Sequence, residues 1–332
     1  MTQPRKTNLE TEMLVNVRDL AVTFATGGST INAVNGVDLD LAPRETLCIL
    51  GESGSGKSVL LRSLMRLNPA RRTHVTGSIV VCGHDIQRAP ERELADLRGS
   101  VVAMVFQEPL TAFDPVFTIG RQISETIMRH EGVSRGDADR RAVELLELVQ
   151  VPMARQRLAM YPFELSGGLR QRAMIAMALS CRPRLLLADE PTTALDATVQ
   201  IQIIVLLRRL QQELGMGLIL VTHDIGVATE TADRVAVMYA GRIVEQSPIA
   251  EFVANPLHPY SRGLLGATIE AAKDGNRLKT IMGAPPDLSR LPPGCAFLPR
   301  CERAVAECRS VMPSLRSPSV GRAARCVHVE RE

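Results

Sequence analysis

The sequence predicts an α/β fold whose main sheet is largely parallel. An apolar run at 46–50 leads into the glycine-rich stretch GESGSGKS at 51–58, and a helical pattern follows at 59–64. Further along, apolar runs at 185–188, 218–221 and 235–239 alternate with helical patterns. This alternation is typical of a mainly parallel sheet covered by helices, in which ligands bind at the carboxyl ends of the strands.

Length and composition are those of an ordinary globular protein. The 332 residues can form one large domain with an appendage, and 45% are hydrophobic while 23% are charged. A net charge of +3 is too small to require nucleic acid or an anionic membrane as a partner. The N-terminus has no apolar segment behind its basic residues, and no stretch approaches 18 apolar residues, so we expect neither secretion nor a membrane span.

Two alternating stretches, 14–20 and 33–39, predict antiparallel strands in front of the glycine-rich loop. Phe24 ends the first of them, and its ring is either a stacking surface for a purine or a core residue. The segments 77–83 and 101–106 are predicted strands with a charged helix between them, whereas 118–165 is mostly helical. We interpret this last block as a helical insertion.

A long helix is predicted after the strand at 185–188. Asp196 is placed to cap its start and Gly215 to end it. Apolar residues line one face of this helix: Val199, Ile203, Leu206, Leu210 and Leu214.

The loop at 51–58 has the residues that phosphate binding needs. Its glycines let backbone N–H groups point inward, and the helix that follows adds its positive end. Lys57 can reach the β- and γ-phosphates, and Ser58 offers a hydroxyl to Mg²⁺. The predicted phosphate-binding residues are Gly51, Glu52, Ser53, Gly54, Ser55, Gly56, Lys57, Ser58 and Val59.

Four polar residues follow predicted strand ends, so they can converge on one nucleotide. They are Gln107, Asp189, Glu190 and His223. Asp189 is predicted to hold Mg²⁺ through its water shell, and Glu190 to receive or orient the attacking water. An ordinary Glu has a pKa near 4.3, so Glu190 is expected to act more by position and charge than by basicity. His223 is either a sensor of the γ-phosphate or a structural residue.

Taken in order, GESGSGKS, Gln107, LSGG at 165–168, LLLADE at 185–190, ALD at 194–196 and His223 resemble the ATP-binding cassette of ABC transporters. The resemblance covers about residues 13–250. It implies a P-loop NTPase fold with an antiparallel β subdomain and a helical subdomain at about 113–170. It also implies an ATPase in which Phe24 stacks on adenine, Gln107 contacts Mg²⁺ and the membrane partner, Glu190 is the catalytic carboxylate and His223 is the switch histidine.

Ser166, Gly167 and Gly168 open a predicted helix, with Ser166 at its N-cap. A helix start of this kind suits an anion. In the resembled family it meets the ATP held by the opposite subunit, so that two cassettes enclose two nucleotides. Leu169 stands where the family usually has glutamine. The hydroxyl and N–H donors remain, but one polar contact is missing.

From residue 256 the sequence becomes proline-rich and irregular. NPLHPYSRGLL at 255–265 and GCAFLPRC at 294–301 resemble the C-terminal extension of oligopeptide and dipeptide importer ATPases. We therefore predict a cassette at 13–255 and an extension at 256–332. The resemblance implies uptake of di- or oligopeptides or a related small solute.

The same resemblance implies a set of partners. These are a second ABC ATPase subunit, identical or homologous, two transmembrane permease subunits and, indirectly, an extracytoplasmic solute-binding protein. We expect no nucleic acid partner, and a peripheral position on the cytoplasmic face of the inner membrane.

The extension contains four cysteines, Cys295, Cys301, Cys308 and Cys326. Four thiolates suffice for one [4Fe–4S] cluster or one tetrahedral Zn²⁺, and the spacing lacks the CxxC pairs typical of zinc sites. The resemblance favours the iron–sulfur cluster, with zinc or free thiols as alternatives. The other cysteines, Cys48, Cys82 and Cys181, are expected to be buried free thiols.

Two rival functions are weighed against the importer. A soluble ABC ATPase acting on nucleic acid or the ribosome would usually carry two cassettes or a long coiled coil, and this chain has neither pattern. A redox sensor built on the cysteine tail would change its activity when those cysteines are oxidised.

Overall fold

The computed structural model describes residues 13–193, 195–267 and 281–329. Residues 1–12, on which the expectation about secretion depends, lie outside it, as do Ala194 of the ALD motif and parts of the predicted extension. The described residues form one sheet of four strands and one of eight. None of their helices is both long enough and apolar enough to cross a membrane.

The smaller sheet is antiparallel and begins with the hairpin that the sequence predicts. Its strands are β1 (Val15–Thr26), β2 (Ser29–Leu41), β4 (Thr73–Val81) and β5 (His84–Asp85), in the order β2-β1-β4-β5. Phe24 pairs with Ile31 near the turn of the hairpin. The apolar face of this sheet packs into the core that also covers the main sheet.

The larger sheet has a parallel centre, as predicted. Its main strands are β3 (Thr46–Leu50), β6 (Val102–Val105), β7 (Leu185–Asp189), β8 (Gly217–Thr222), β9 (Arg234–Tyr239) and β10 (Arg242–Pro248). The parallel strands lie in the order β9-β3-β8-β7-β6, and β10 pairs antiparallel with β9. Every residue of β3, β6, β7 and β8 is buried, as in a sheet covered on both faces.

Helices alternate along the chain with the strands of the two sheets. They are α1 (Lys57–Ser63), α2 (Glu91–Ser100), α8 (Ala197–Leu214), α9 (Ile225–Thr231) and α10 (Ile249–Ala254). The predicted ends of α8 are confirmed, because Val199 N donates to Asp196 Oδ1 at 3.0 Å and Gly215 has a φ of 65°. Gly56 precedes α1 with a φ of 101°, and a Cβ there would lie 2.1 Å from the carbonyl oxygen of Ala33.

The predicted helical insertion is present. It comprises α3 (Pro109–Ala112), α4 (Ile119–Glu131), α5 (Arg135–Leu148), α6 (Ala154–Arg157) and α7 (Gly167–Ala178), and its buried side chains share a core with α8. Ser166 occupies the N-cap position of α7, as predicted, but its hydroxyl accepts no capping bond from the described helix. The limits of this insertion as a subdomain stay a prediction.

The extension is more regular than the sequence indicates. It contains α11 (Pro259–Gly266), β11 (Arg316–Ser319) and β12 (Arg322–Ala324), and β12 pairs with β10. The main sheet therefore continues into the extension in the order β11-β12-β10. Such short strands, one with a proline, carry too little alternation to be predicted. The boundary between 255 and 256 stays a prediction.

Cys48 and Cys82 are buried and free, as expected, whereas Cys181 is half-buried. Burial raises the pKa of the Cys82 thiol to about 11, which keeps it protonated at neutral pH.

Candidate nucleotide site

One cleft of about 780 Å³ collects most of the predicted nucleotide-binding residues. Its size suits a ligand as large as a nucleotide. At one end it is apolar, lined by Phe24, Ile31, Ala33 and Leu288. Its other end is polar and is lined by Glu52, Ser53, Gly54, Gly56, Lys57, Ser58, Gln107, Glu190 and His223, with Val59 beside them.

The glycine-rich loop holds the lysine in a fixed position. Lys57 Nζ donates to the carbonyl oxygens of Gly51 at 2.8 Å and Glu52 at 3.0 Å, and the residue is only 4% exposed. Burial lowers the pKa of this ammonium, whereas the negative charges of Glu190, Asp189 and Glu52 raise it. A buried cation at the glycine-rich loop is placed to pair with a phosphate group, while the nearby carboxylates partly offset its charge.

Asp189 ends β7 and is 1% exposed. Ser58 Oγ donates to Asp189 Oδ1 at 2.8 Å, but Oδ2 is buried and has no hydrogen-bond partner in the described part of the chain. Arg62 lies 3.9 Å from that oxygen, and burial raises the pKa of the carboxyl. An unsatisfied buried carboxylate oxygen beside a hydroxyl is a donor set that suits Mg²⁺. The residues present therefore fit the ion.

The carboxylate of Glu190 is the point on which the remaining polar groups converge. Its Oε2 accepts from Gln107 Nε2 at 3.3 Å and from Thr193 Oγ1 at 3.0 Å, and His223 Nδ1 lies 3.6 Å away. Its Oε1 lies 3.8 Å from Lys57 Nζ. The backbone of Glu190 has a φ of 44°, which is strained for a residue with a side chain. This strained turn aims the carboxylate into the cleft.

Comparison with known proteins identifies the family. The model described as "ABC transporter" matches residues 34–193, and the model described as "Oligopeptide/dipeptide transporter, C-terminal region" matches 244–308. A Brucella abortus (strain 2308) protein, named as a peptide import ATP-binding protein, is 50% identical over 96% of each chain. This chain belongs to the ATP-binding subunits of ABC transporters. Within them it falls in the oligopeptide/dipeptide group, as the sequence predicts.

Solved structures of ABC cassettes have the same fold. The dimeric cassette MJ0796, bound to ADP and Pi, has a TM-score of 0.64 and 28% identity, covering 71% of this chain and 98% of that one. The cbiO1 subunit from Clostridium perfringens has a TM-score of 0.61 and 25% identity, covering 74% and 92%. The predicted fold class and ATP hydrolysis are thus confirmed, and the match of the extension argues against the rival of a soluble ABC ATPase.

The LSGG segment of this ABC cassette lies apart from the cleft. Ser166 and Gly167 are exposed at the start of α7, and neither they nor Gly168 line the cleft of their own subunit. Leu169 packs against the core of the helical insertion. This apolar packing explains why a leucine is tolerated where the ABC family usually has glutamine.

The four cysteines of the extension lie around one small closed cavity of about 10 Å³, together with His258, Phe297 and His328. Burial raises the pKa of the thiols of Cys295, Cys301 and Cys326, and neighbouring cysteines raise each of them further. Cys308 is buried at the same place. Among the described residues, however, no three His, Cys, Asp or Glu side chains already stand as a formed metal site.

Sequence reasoning missed several residues at or beside the cleft, among them Ile31 and Ala33 of the hairpin, Thr193, Leu288 and Arg300. Thr193, which donates to Glu190, was detectable as a hydroxyl three residues after that carboxylate. Leu288 and Arg300 come from the extension, and Arg300 pairs with Glu52 at 2.7 Å. No local pattern indicates these two, because their contacts join positions more than 200 residues apart.

Proposed function

We propose that this ABC subunit supplies the energy for uptake of di- or oligopeptides, or of a related small solute, by hydrolysing ATP at Glu190. The observation that carries the catalytic assignment is the convergence of Gln107, Thr193, His223 and Lys57 on one carboxylate at the phosphate end of the cleft. The peptide substrate is supported by the match of the extension and by the names of the relatives.

In this proposal ATP lies along the cleft, with adenine at the apolar end beside Phe24 and the triphosphate over the loop at 51–58. Glu190 orients the attacking water, and Gln107 and Thr193 keep its carboxylate in place. His223, whose side chain is 65% exposed, faces the same oxygen from the solvent side. Ser58 and Asp189, with Gln107 nearby, would hold Mg²⁺, which would supply charge neutralisation at the phosphates.

Hydrolysis is proposed to need a second cassette, identical or homologous. Ser166 and Gly167 are exposed and Gly168 is half-buried at the start of a helix of 12 residues, and their donors are proposed to face the ATP of the opposite subunit. The solved MJ0796 cassette is described as a dimer. Closure of the pair around two nucleotides would then move the membrane subunits.

Two transmembrane permease subunits are the proposed anchors on the cytoplasmic face of the inner membrane. The segment after Gln107 carries the exposed apolar residues Leu110 and Val116, which are 53% and 67% exposed. Exposed apolar side chains next to a catalytic contact suit a partner that senses the nucleotide. An extracytoplasmic binding protein would deliver the solute to those permeases.

The cysteine cavity is proposed to hold a [4Fe–4S] cluster, with zinc as the alternative. Four soft donors around one small cavity support the proposal, although the side chains must rotate inward and the cavity must widen. Anaerobically purified protein should be brown and contain about four iron atoms per chain, and Cys308→Ser should lose them. If the purified protein contains zinc in place of iron, the zinc site is the correct alternative. If it contains neither metal, the proposal is wrong.

Glu190→Gln tests the catalytic assignment. The variant should bind ATP with Mg²⁺ as well as the wild type, while turnover in the assembled transporter falls by roughly 100-fold or more, because the charge that orients water is lost. Glu213→Gln, at an exposed glutamate of α8, is the matched control and should keep full turnover. Near-normal turnover of Glu190→Gln would refute the assignment.

A further inference from the structure

The extension reaches the phosphate-binding loop at Glu52. Arg300 Nη1 and Nη2 donate to the two carboxylate oxygens of Glu52 at 2.7 and 2.9 Å, which is a bidentate pair. The backbone N–H of Glu52 donates to the hydroxyl oxygen of Tyr260 at 2.9 Å. Both the main chain and the side chain of this loop residue are therefore held by residues that follow position 255.

Arg300 is fixed in its orientation by further contacts. Its side chain is 4% exposed, its Nε donates to the carbonyl oxygen of Met282 at 3.0 Å, and its Nη1 lies 3.3 Å from the Tyr239 hydroxyl. The hydrogen bonds to Glu52 raise the pKa of this guanidinium, so it stays charged. A buried, pre-oriented guanidinium is a strong partner for a single carboxylate.

The carboxylate of Glu52 lies where its negative charge disfavours the binding of a polyanion. Glu52 lines the cleft directly after Gly51, and its charge acts on the Lys57 ammonium. An unpaired carboxylate there would repel the triphosphate and compete with it for Lys57. Pairing with Arg300 removes most of that repulsion while keeping the loop in its observed shape.

We propose that Arg300 is a positioning residue for ATP, which neutralises Glu52 at the phosphate-binding loop and thereby makes the C-terminal extension a part of the nucleotide site. The inference rests on the assignment of the cleft as the ATP site. It gives the extension a role in the cassette besides the one proposed for its cysteines.

Arg300→Met tests the inference in the full chain. Titration with a fluorescent ATP analogue in the presence of Mg²⁺ should show a dissociation constant raised roughly tenfold, since a carboxylate near the phosphates is left unpaired at intermediate dielectric. The loss should shrink as salt is raised, because the repulsion is screened. Arg290→Met, at an exposed arginine of the same extension, is the matched control and should bind like the wild type.

Glu52→Gln separates charge from loop shape. If Arg300 acts by neutralising Glu52, the double variant Arg300→Met with Glu52→Gln should recover most of the lost affinity, and Glu52→Gln alone should bind at least as well as the wild type. Arg300→Lys, which keeps charge but not the bidentate geometry, should lie between the wild type and Arg300→Met.

Two results would overturn the inference. One is wild-type affinity in a folded Arg300→Met protein, as judged by its thermal midpoint. The other is a double variant no better than Arg300→Met, which would assign Arg300 a purely structural role. Absence of ATP binding in the wild type itself would instead refute the assignment of the cleft.

Discussion

At the scale of single residues, Leu288 has the least expected position. It comes from the extension, yet its side chain lines the apolar end of the cleft together with Phe24. Its carbonyl oxygen accepts from Asn32 N at 3.1 Å and from Asn32 Nδ2 at 3.4 Å, so β2 fixes its place. The purine would thus meet apolar side chains from both the hairpin and the extension.

Leu288→Ala should weaken ATP binding by about 1 kcal/mol, or roughly fivefold, because less apolar surface covers the base. Inorganic tripolyphosphate, which has no base, should bind the variant and the wild type equally. Titration of the variant and the wild type with each ligand measures the two changes in affinity. Leu291→Ala is the control, since Leu291 lies in the same extension but packs against the core around Phe297 and does not line the cleft. An unchanged affinity for ATP would place the base elsewhere.

At the scale of elements, the sequence predicts what depends on local pattern. The hairpin, the parallel strands and the capped helix α8 follow from alternation, apolar runs and the Asp196 and Gly215 signals, and all are present. Ser166 shows the limit of such signals. It stands at an N-cap position, but its hydroxyl makes no capping bond to the described helix. A good cap residue that does not cap is available for another partner.

The candidate site likewise contains residues that local sequence patterns predict and residues that they do not. Residues at strand ends, such as Asp189, Glu190 and His223, were predictable because parallel strands bring their carboxyl ends to one edge. The groups that hold these residues and the nucleotide loop in place could not be predicted in this way. Arg300 and Tyr260 contact Glu52, and Leu288 lines the cleft. They belong to an extension whose path depends on tertiary packing of aromatic rings, and no periodicity in the sequence encodes that path.

At the scale of the whole molecule, one of the hydrophobic cores contains residues from both the cassette and the extension. The Phe297 ring packs edge-on against Tyr239 of β9, with 5.3 Å between ring centroids, and in a tilted arrangement against Tyr260, with 5.4 Å between centroids. Glu245 of β10 is fully buried, and its carboxylate accepts from the N–H groups of Leu257 and His258 at 2.9 and 2.8 Å. These contacts cross the predicted boundary at 255, so the apolar residues of this shared core are buried only when both parts are in place.

We therefore expect the full chain to unfold in a single calorimetric transition. Phe297→Ala should destabilise that transition as a whole by about 3 kcal/mol or more, because it opens a cavity in the shared aromatic cluster. Phe163→Ala, at a phenylalanine that is 62% exposed, is the matched control and should leave the midpoint almost unchanged. An early transition that belongs to the extension alone, followed by cassette unfolding at the wild-type midpoint, would contradict the shared core. Unfolding of the extension alone would separate Arg300 from Glu52 while the cassette stays folded. The contact would then not be needed for the fold around the ATP site, so the calorimetric result is an independent check on the Arg300 titrations.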